Sequence, residues 1–435
     1  MLYLRTCEKR SMRVLIINTS ERTGGAAVAA NRLKDALNNN GVKTKMLVRD
    51  KQTDDLTVVG IGGGWRSRWA FLWERICIFW HLRFSRKHLF DIDIANAGHS
   101  ITRLPEFKEA DIIHLHWINQ GMLSLKEIRR ILDSGKPVVW TMHDMWPATG
   151  ICHLTLDCHR FESGCGHCMY LPGGGRERDK SQKVWKCKER MLDGHTVHFV
   201  ACSRWLKDEA RRSQLLSGHR IESIPNPIDV RTYRQNSRST AREQLNLPQD
   251  KRLILFVSQR VTNEYKGITY LMEACKQIAK NSINKSQNIG MLLLGGHAEE
   301  LKDAFPFPVY SLGYVNNEKD IVNVYNAADV FVMPSLSENL PNTIMEAMAC
   351  GVPCVGFKVG GIPEMIDHKK NGYVAKYKSS EDLAEGLSWV LDEADYAALS
   401  AAAIQKVQRN YSQSAVAQRY IEVYNEAMAL KNYKL

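Results

Sequence analysis

Short apolar runs alternate with amphipathic stretches along most of the chain. Val14 to Asn18, Lys43 to Val48, Asp111 to His116, Val138 to Met142 and His198 to Cys202 read as strands, and Ala26 to Leu37 as a helix between the first two. Near-continuous apolar strands separated by helices predict a parallel sheet covered on both faces. Pro225-Asn226-Pro227-Ile228-Asp229 interrupts this pattern, and polar sequence then runs to Asp250 with a helical piece at Thr240 to Leu245. A second series follows: strand Leu253 to Val257, helix Ile268 to Lys280, strand Met291 to Leu294 and helix Lys319 to Ala327. Each half predicts a doubly wound α/β domain, with a ligand cleft expected between the two.

The densest chemistry lies in Ser335 to Pro353. Strand-like Asp329 to Pro334 leads into it and Pro353 to Phe357 leaves it. A helix is expected from Asn342 or Thr343, ending before Gly351. Its first turn leaves backbone N–H groups without intrahelical partners, and its dipole favours negative charge there. The segment Leu340, Pro341, Asn342 and Thr343 therefore predicts a diphosphate cradle. Glu338 precedes it and Glu346 lies one turn inside. Two carboxylates flanking an anion site can accept hydrogen bonds from the hydroxyls of a sugar and a ribose. Thr343 to Glu346 also matches a capping box, in which Glu346 serves only its own helix.

Length and charge narrow the field. The chain has 435 residues, enough for two domains, and 44% hydrophobic with 24% charged residues is globular in character. Net charge is +12. No zinc-finger spacing, RNP motif or long basic tract accompanies it, so nucleic acid is excluded as the expected partner. An anionic donor and a membrane-borne acceptor account for the charge. The segment Met1 to Ser11 lacks the apolar centre of a signal peptide, and no run has transmembrane length. The expected location is the cytoplasm, where the eleven cysteines stay mostly reduced.

The Ser335 to Pro353 segment resembles the E-x7-E signature of glycosyltransferase family 4, retaining enzymes of the GT-B fold. The resemblance extends over nearly the whole chain. Pro225 to Asp229 is similar to the family's linker, Ser258-Gln259-Arg260 with Lys266-Gly267 to its basic pair, and Leu312 to Val315 to its base-contacting loop. It implies two Rossmann-like domains facing across a cleft. The first is an acceptor-side domain over 12–226, with 412–435 packing back on it through a helix at Ser412 to Leu430. The second is a nucleotide-sugar donor domain over 227–411. It implies that Glu338 lies by the donor sugar and Glu346 binds the ribose. Arg260 and Lys266 would hold the diphosphate, and Tyr314 and Val315 the base of a UDP- or GDP-linked donor. Gly24 and Gly25 would face donor and acceptor. His143 would contact the transferred sugar, with Asp144 and His116 on the acceptor side, while His114 packs inside. Strand alternation is taken to put His114 and His116 on opposite faces.

The implied reaction moves a hexosyl or N-acetylhexosaminyl group onto a glycan or lipid-linked acceptor in surface-polysaccharide assembly. Retention by double displacement needs a carboxylate nucleophile, and none is assigned. The family's front-face departure, with the leaving phosphate taking the acceptor proton, is the expectation. A related epimerase or hydrolase and a non-catalytic assembly subunit are the alternatives.

Two segments stand outside that scheme. Cys152, Cys158, Cys165 and Cys168 fall within seventeen residues, in a stretch similar to an insertion in bacterial family members. Structural zinc is one reading; free thiols or a redox pair are the others. Trp65, Trp69 and Trp73 recur every fourth residue, with Trp80 beyond, among Arg66, Arg68, Arg75, Arg83, Arg86 and Lys87. Most of these tryptophans are expected to pack into the first domain. A basic aromatic helix in a membrane interface, at the inner face of the cytoplasmic membrane, is the other reading.

Overall fold

The computed structural model describes residues 11–62, 64–281, 288–315 and 317–432. The expectation concerning Met1 to Ser11 falls, apart from Ser11, outside them. The chain divides into two compact units. One takes in the chain to Cys202, then Leu206–Ile224 and the C-terminal segment from Val416; the other is Ser203–Trp205 with Pro225–Ala415.

The first unit is built on seven parallel strands: β1 (Arg13–Ser20), β2 (Lys43–Asp50), β3 (Val58–Gly60), β4 (Ile112–Leu115), β5 (Val138–Met142), β6 (Val197–Ala201) and β7 (Arg220–Ser223). Their spatial order is β3-β2-β1-β4-β5-β6-β7. The central strands are buried along their length because helices cover both faces. Helix α1 (Gly25–Asn39) turns Ala30, Leu33, Ala36 and Leu37 onto the sheet. The C-terminal helix Gln413–Asn432 joins the same core through Val416, Ala417, Tyr420, Val423, Tyr424 and Ala427, a set at helical spacing. Its two tyrosines carry hydroxyls into that core, and both are satisfied: Tyr420 Oη lies 2.9 Å from Thr141 Oγ1 and Tyr424 Oη 2.8 Å from His114 Nδ1.

The second unit has six parallel strands: β8 (Arg252–Arg260), β9 (Ile289–Gly296), β10 (Val309–Ser311), β11 (Val330–Met333), β12 (Cys354–Phe357) and β13 (Gly372–Ala375). Their order is β10-β9-β8-β11-β12-β13. In both sheets the strand order reverses beside the first strand, between β1 and β4 and between β8 and β11. Diverging connections at such a point leave a crevice at the carboxyl ends of the strands, where doubly wound sheets bind ligands.

Candidate active site

Arg260 and Lys266 follow β8, and Glu338 follows β11, the two strands that bound that crevice. Ladder pairing of β8 with β9 slips between Val257 and Arg260. Such a bulge re-aims the side chains that follow it; Arg260 is exposed, its Nε 3.0 Å from Thr262 Oγ1. The next turn brings Lys266 to Glu338: Lys266 Nζ donates to Glu338 Oε2 at 2.7 Å, both groups only partly exposed. Two hydrogen bonds at Leu336, one from its own backbone N–H and one to its carbonyl, hold the neighbouring loops in register. Leu336 N–H donates to Tyr265 O at 2.9 Å, and Tyr377 Oη donates to Leu336 O at 2.9 Å.

The helix Asn342–Ala349 opens directly after this loop. Pro341 occupies its N-cap position and Thr343 lies inside the first turn, so Thr343 is not a cap and the capping-box geometry is not formed. Glu346 is buried and accepts a hydrogen bond from Tyr325 Oη at 2.8 Å. Proline has no N–H, so in Leu340 to Thr343 the backbone N–H groups are those of Leu340, Asn342 and Thr343. Asn226, from the Pro-Asn-Pro linker, reaches Asn342 Oδ1 at 3.0 Å. Tyr314 is exposed and Val315 half-buried on the loop after β10, which Gly295 N–H ties down by a 2.7 Å bond to Gly313 O.

Gly360 was not apparent from the motif pattern, although it fixes Glu338. Its φ is +55°, and a Cβ there would stand 1.6 Å from Glu338 O. Only glycine permits that approach. Gly360→Ala is therefore expected to displace the Glu338 loop and lower turnover at least about tenfold, with a loss of stability on the order of 1–3 kcal/mol. Steady-state kinetics and a melting curve on the same preparation check this. Unchanged kcat would show that the loop position is immaterial.

In the first unit Gly24 caps α1 with φ +93° and Gly25 begins it. His114 and His116 lie on the same face, their rings 4.3 Å apart, because residues two apart in extended chain share a side. The opposite-face expectation is corrected accordingly. His114 is enclosed between Tyr424 and Thr141. His116 is also buried: its Nδ1 lies 2.9 Å from His143 Nε2, and its Nε2 has no hydrogen-bond partner among the described residues. Burial holds all three imidazoles neutral. It pushes His114 down to about 3, His116 well below its ordinary value, and His143 to about 4 against the pull of Asp144.

Asp144 is fully engaged. Oδ2 accepts from Trp117 Nε1 at 3.0 Å and meets His153 Nδ1 at 2.8 Å, while Oδ1 accepts from Trp146 N–H at 2.9 Å. Burial raises its pKa, but His153 and these N–H donors outweigh that and hold it below the usual carboxylate range. His153 Nε2 continues to Asp93 Oδ2 at 2.7 Å, and Asp93 pairs with Arg75. This chain of polar contacts was missed, since its members are scattered through the sequence.

Cys152, Cys158, Cys165 and Cys168 do converge, lining one small cavity of about 20 Å³, and all four are free thiols. Burial pushes Cys165 up to about 12 and Cys168 to about 11. Among the described residues no group of three or more His, Cys, Asp or Glu side chains is arranged to hold a metal ion. The zinc expectation thus gains no support.

The chain is similar to known glycosyltransferases over both units. A family sequence model described as Glycosyl transferases group 1 matches residues 237–407, and one described as Glycosyltransferase Family 4 matches residues 23–232. An uncharacterised glycosyltransferase of Methanocaldococcus jannaschii is 26% identical over 365 residues, 78% of this chain and 90% of its own. D-inositol 3-phosphate glycosyltransferase 1 of Catenulispora acidiphila is 23% identical over 337 residues, 73% of this chain and 72% of its own. Among solved structures, sucrose-phosphate synthase of Thermosynechococcus elongatus superposes with TM-score 0.66 at 18% identity, covering 96% of this chain and all 100% of that one. HepE of Anabaena, solved with UDP-glucose, gives 0.61 at 16% identity, covering 95% and 100%. The fold is GT-B. The chain belongs to the family 4-like glycosyltransferases.

Proposed function

We propose that this glycosyltransferase is a retaining enzyme that moves a sugar from a nucleoside diphosphate to a carbohydrate or lipid-linked oligosaccharide acceptor in polysaccharide biosynthesis. The observation that carries the reading is the Lys266–Glu338 pair at the switch point of the second unit, followed at once by the helix Asn342–Ala349. A cation from one loop, with a carboxylate and a helix N-terminus from the next, offers a diphosphate its counter-charge and a sugar hydroxyl its acceptor. Arg260 and Lys266 take the charge that develops on the leaving diphosphate. Glu338 orients the sugar, and Glu346 accepts from the ribose. Tyr314 and Val315 border the base.

On the first unit we assign sugar or acceptor recognition to His143 as a neutral imidazole. His116 positions it, and Gly24, Gly25 and Asp144 shape the acceptor side. The leaving phosphate removes the acceptor proton on the face from which it departs. The free thiols among the described residues suit a cytoplasmic setting.

A thermal-shift screen of sugar nucleotides tests the reading. UDP-linked donors are the first expectation, given the HepE complex. A donor at a hundredfold excess over its Kd adds about 2.7 kcal/mol, which for units of this size raises Tm by on the order of 5 °C. No shift with any UDP- or GDP-sugar would overturn donor binding. Release of free sugar or an epimerised nucleotide, with acceptor present, would overturn transfer.

A further inference from the structure

Helix α2 (Gly64–His81) carries its apolar side outward. Trp65, Trp69, Leu72, Trp73, Ile76 and Trp80 are each between 48% and 68% exposed. At about 100° per residue they fall in a single stripe about 100° wide. The buried side chains of this helix are instead Glu74, Arg75 and Ile78. The expectation that most of these tryptophans pack inward is therefore corrected: an ion pair faces the interior and the indoles face out.

The orientation is locked by the groups on the inner face. Glu74 Oε1 accepts the Ala95 N–H at 2.6 Å, and Oε2 accepts that of Gly121 at 2.8 Å. Arg75 donates to Leu89 O at 2.6 Å and pairs with Asp93. A Cβ on Gly121 would stand 2.6 Å from Phe71 N, so the helix backbone rests directly on that loop. Rolling α2 to hide its indoles would break these bonds and strand the Ala95 and Gly121 donors.

The charges around the stripe are of one sign. Arg66 and Arg68 project to either side of it, and Arg83, Arg86 and Lys87 follow the helix, all five exposed. Glu74 is the sole acid of residues 64–90, and it is buried. Phe84 and Phe90 extend the exposed apolar surface among these bases. Among the described residues no helix is long and apolar enough to cross a membrane.

We propose that α2 lies in the headgroup region of an anionic lipid bilayer, its Trp–Leu–Ile stripe dipping into the acyl boundary. Indole suits that depth, being apolar in body with one N–H for the wet side. The flanking arginines can keep their heads among lipid phosphates while their stems lie along the stripe. A second copy fits poorly, because a two-fold contact would set one all-basic rim against another, with no exposed acid in residues 64–90 to pair it. The proposal rests on α2 alone and is independent of the reaction assigned above.

The test uses the full chain with vesicles of phosphatidylcholine, alone or mixed with phosphatidylglycerol. The wild type is expected to cosediment with the anionic vesicles, with blue-shifted tryptophan emission that bromine-labelled lipid quenches. Trp69→Ser/Trp73→Ser is expected to weaken binding about a hundredfold, on the order of tenfold per indole withdrawn. Arg66→Glu/Arg68→Glu is expected to abolish the preference for anionic lipid. All four positions are exposed, so both variants should keep the wild-type melting temperature, which is measured alongside. Absent binding to anionic vesicles, or equal binding by wild type and the indole variant, would overturn the proposal. So would concentration-dependent dimerisation that only the indole variant loses.

Discussion

Lys266→Ala lowers kcat about a hundredfold to a thousandfold and leaves the fold in place. The size follows from the role: a cation placed where charge develops on a leaving diphosphate acts mainly in the transition state, and removing one such group costs about 3–4 kcal/mol of barrier. Folding should not suffer comparably. Lys266 and Glu338 are both partly exposed, and pairs of that kind contribute about 0–1 kcal/mol to stability. The kinetic signature separates the role from mere binding, because loss of ground-state attraction would raise KM and spare kcat. Arg260→Ala should act in the same direction, and the double variant should fall further. Glu338→Gln keeps a hydrogen-bonding oxygen but loses its charge, so it releases Lys266 from its partner. Because the two side chains touch, Lys266→Ala and Glu338→Gln should combine non-additively. Full turnover by Lys266→Ala at saturating donor would refute its place at the diphosphate, and with it the reading of the crevice between β8 and β11.

Much of this crevice was legible because its signals are local. The run Val330–Met333, the polar loop and the helix stop at Gly351 are all set by neighbours in sequence. The strands β3, β7 and β10 were not legible: each has three or four residues and is partly exposed, so no apolar run marks it. The chain from Asp144 through His153 and Asp93 to Arg75 was hidden for another reason. Its partners meet only when the fold brings distant segments together, and His153 and Asp93 are 60 residues apart. His153 also stood beside Cys152, which drew attention to metal ligation instead. The facing of α2 was misread because a Trp-rich stripe at helical spacing looks the same whether it meets a core or a solvent. What distinguishes the two is the opposite face, where Glu74 and Arg75 find buried partners. A charged pair on the face that would otherwise be solvated was the one available sign.

The first unit is expected to lose stability as pH falls from about 6.5 towards about 4, ahead of general carboxylate titration. His114 and His143 are held neutral in the folded state, with burial pushing them to about 3 and about 4, and His116 is lowered well below its ordinary value. In the unfolded chain each would take a proton near pH 6.5. The sign follows: the unfolded state binds more protons in this window, so their stabilising contribution is complete above about 6.5 and drains away on acidification. Each histidine contributes up to about 1.4 kcal/mol per pH unit while the folded state stays unprotonated. Charging them in place is blocked because their rings adjoin, with His116 Nδ1 2.9 Å from His143 Nε2 and the His114 and His116 centroids 4.3 Å apart. The described histidines of the second unit, His297 and His368, are both exposed. Urea unfolding at a series of pH values from 7.5 to 5, followed by a probe in the first unit, should show midpoints that move to lower urea with acid, the unfolding free energy falling by on the order of several kcal/mol in total. His143→Gln should flatten the slope by one histidine's share without moving the second unit's transition. A pH-independent midpoint down to about 5 would mean that these imidazoles titrate normally, and His143 would then be a cation near neutrality rather than the uncharged sugar contact proposed for it.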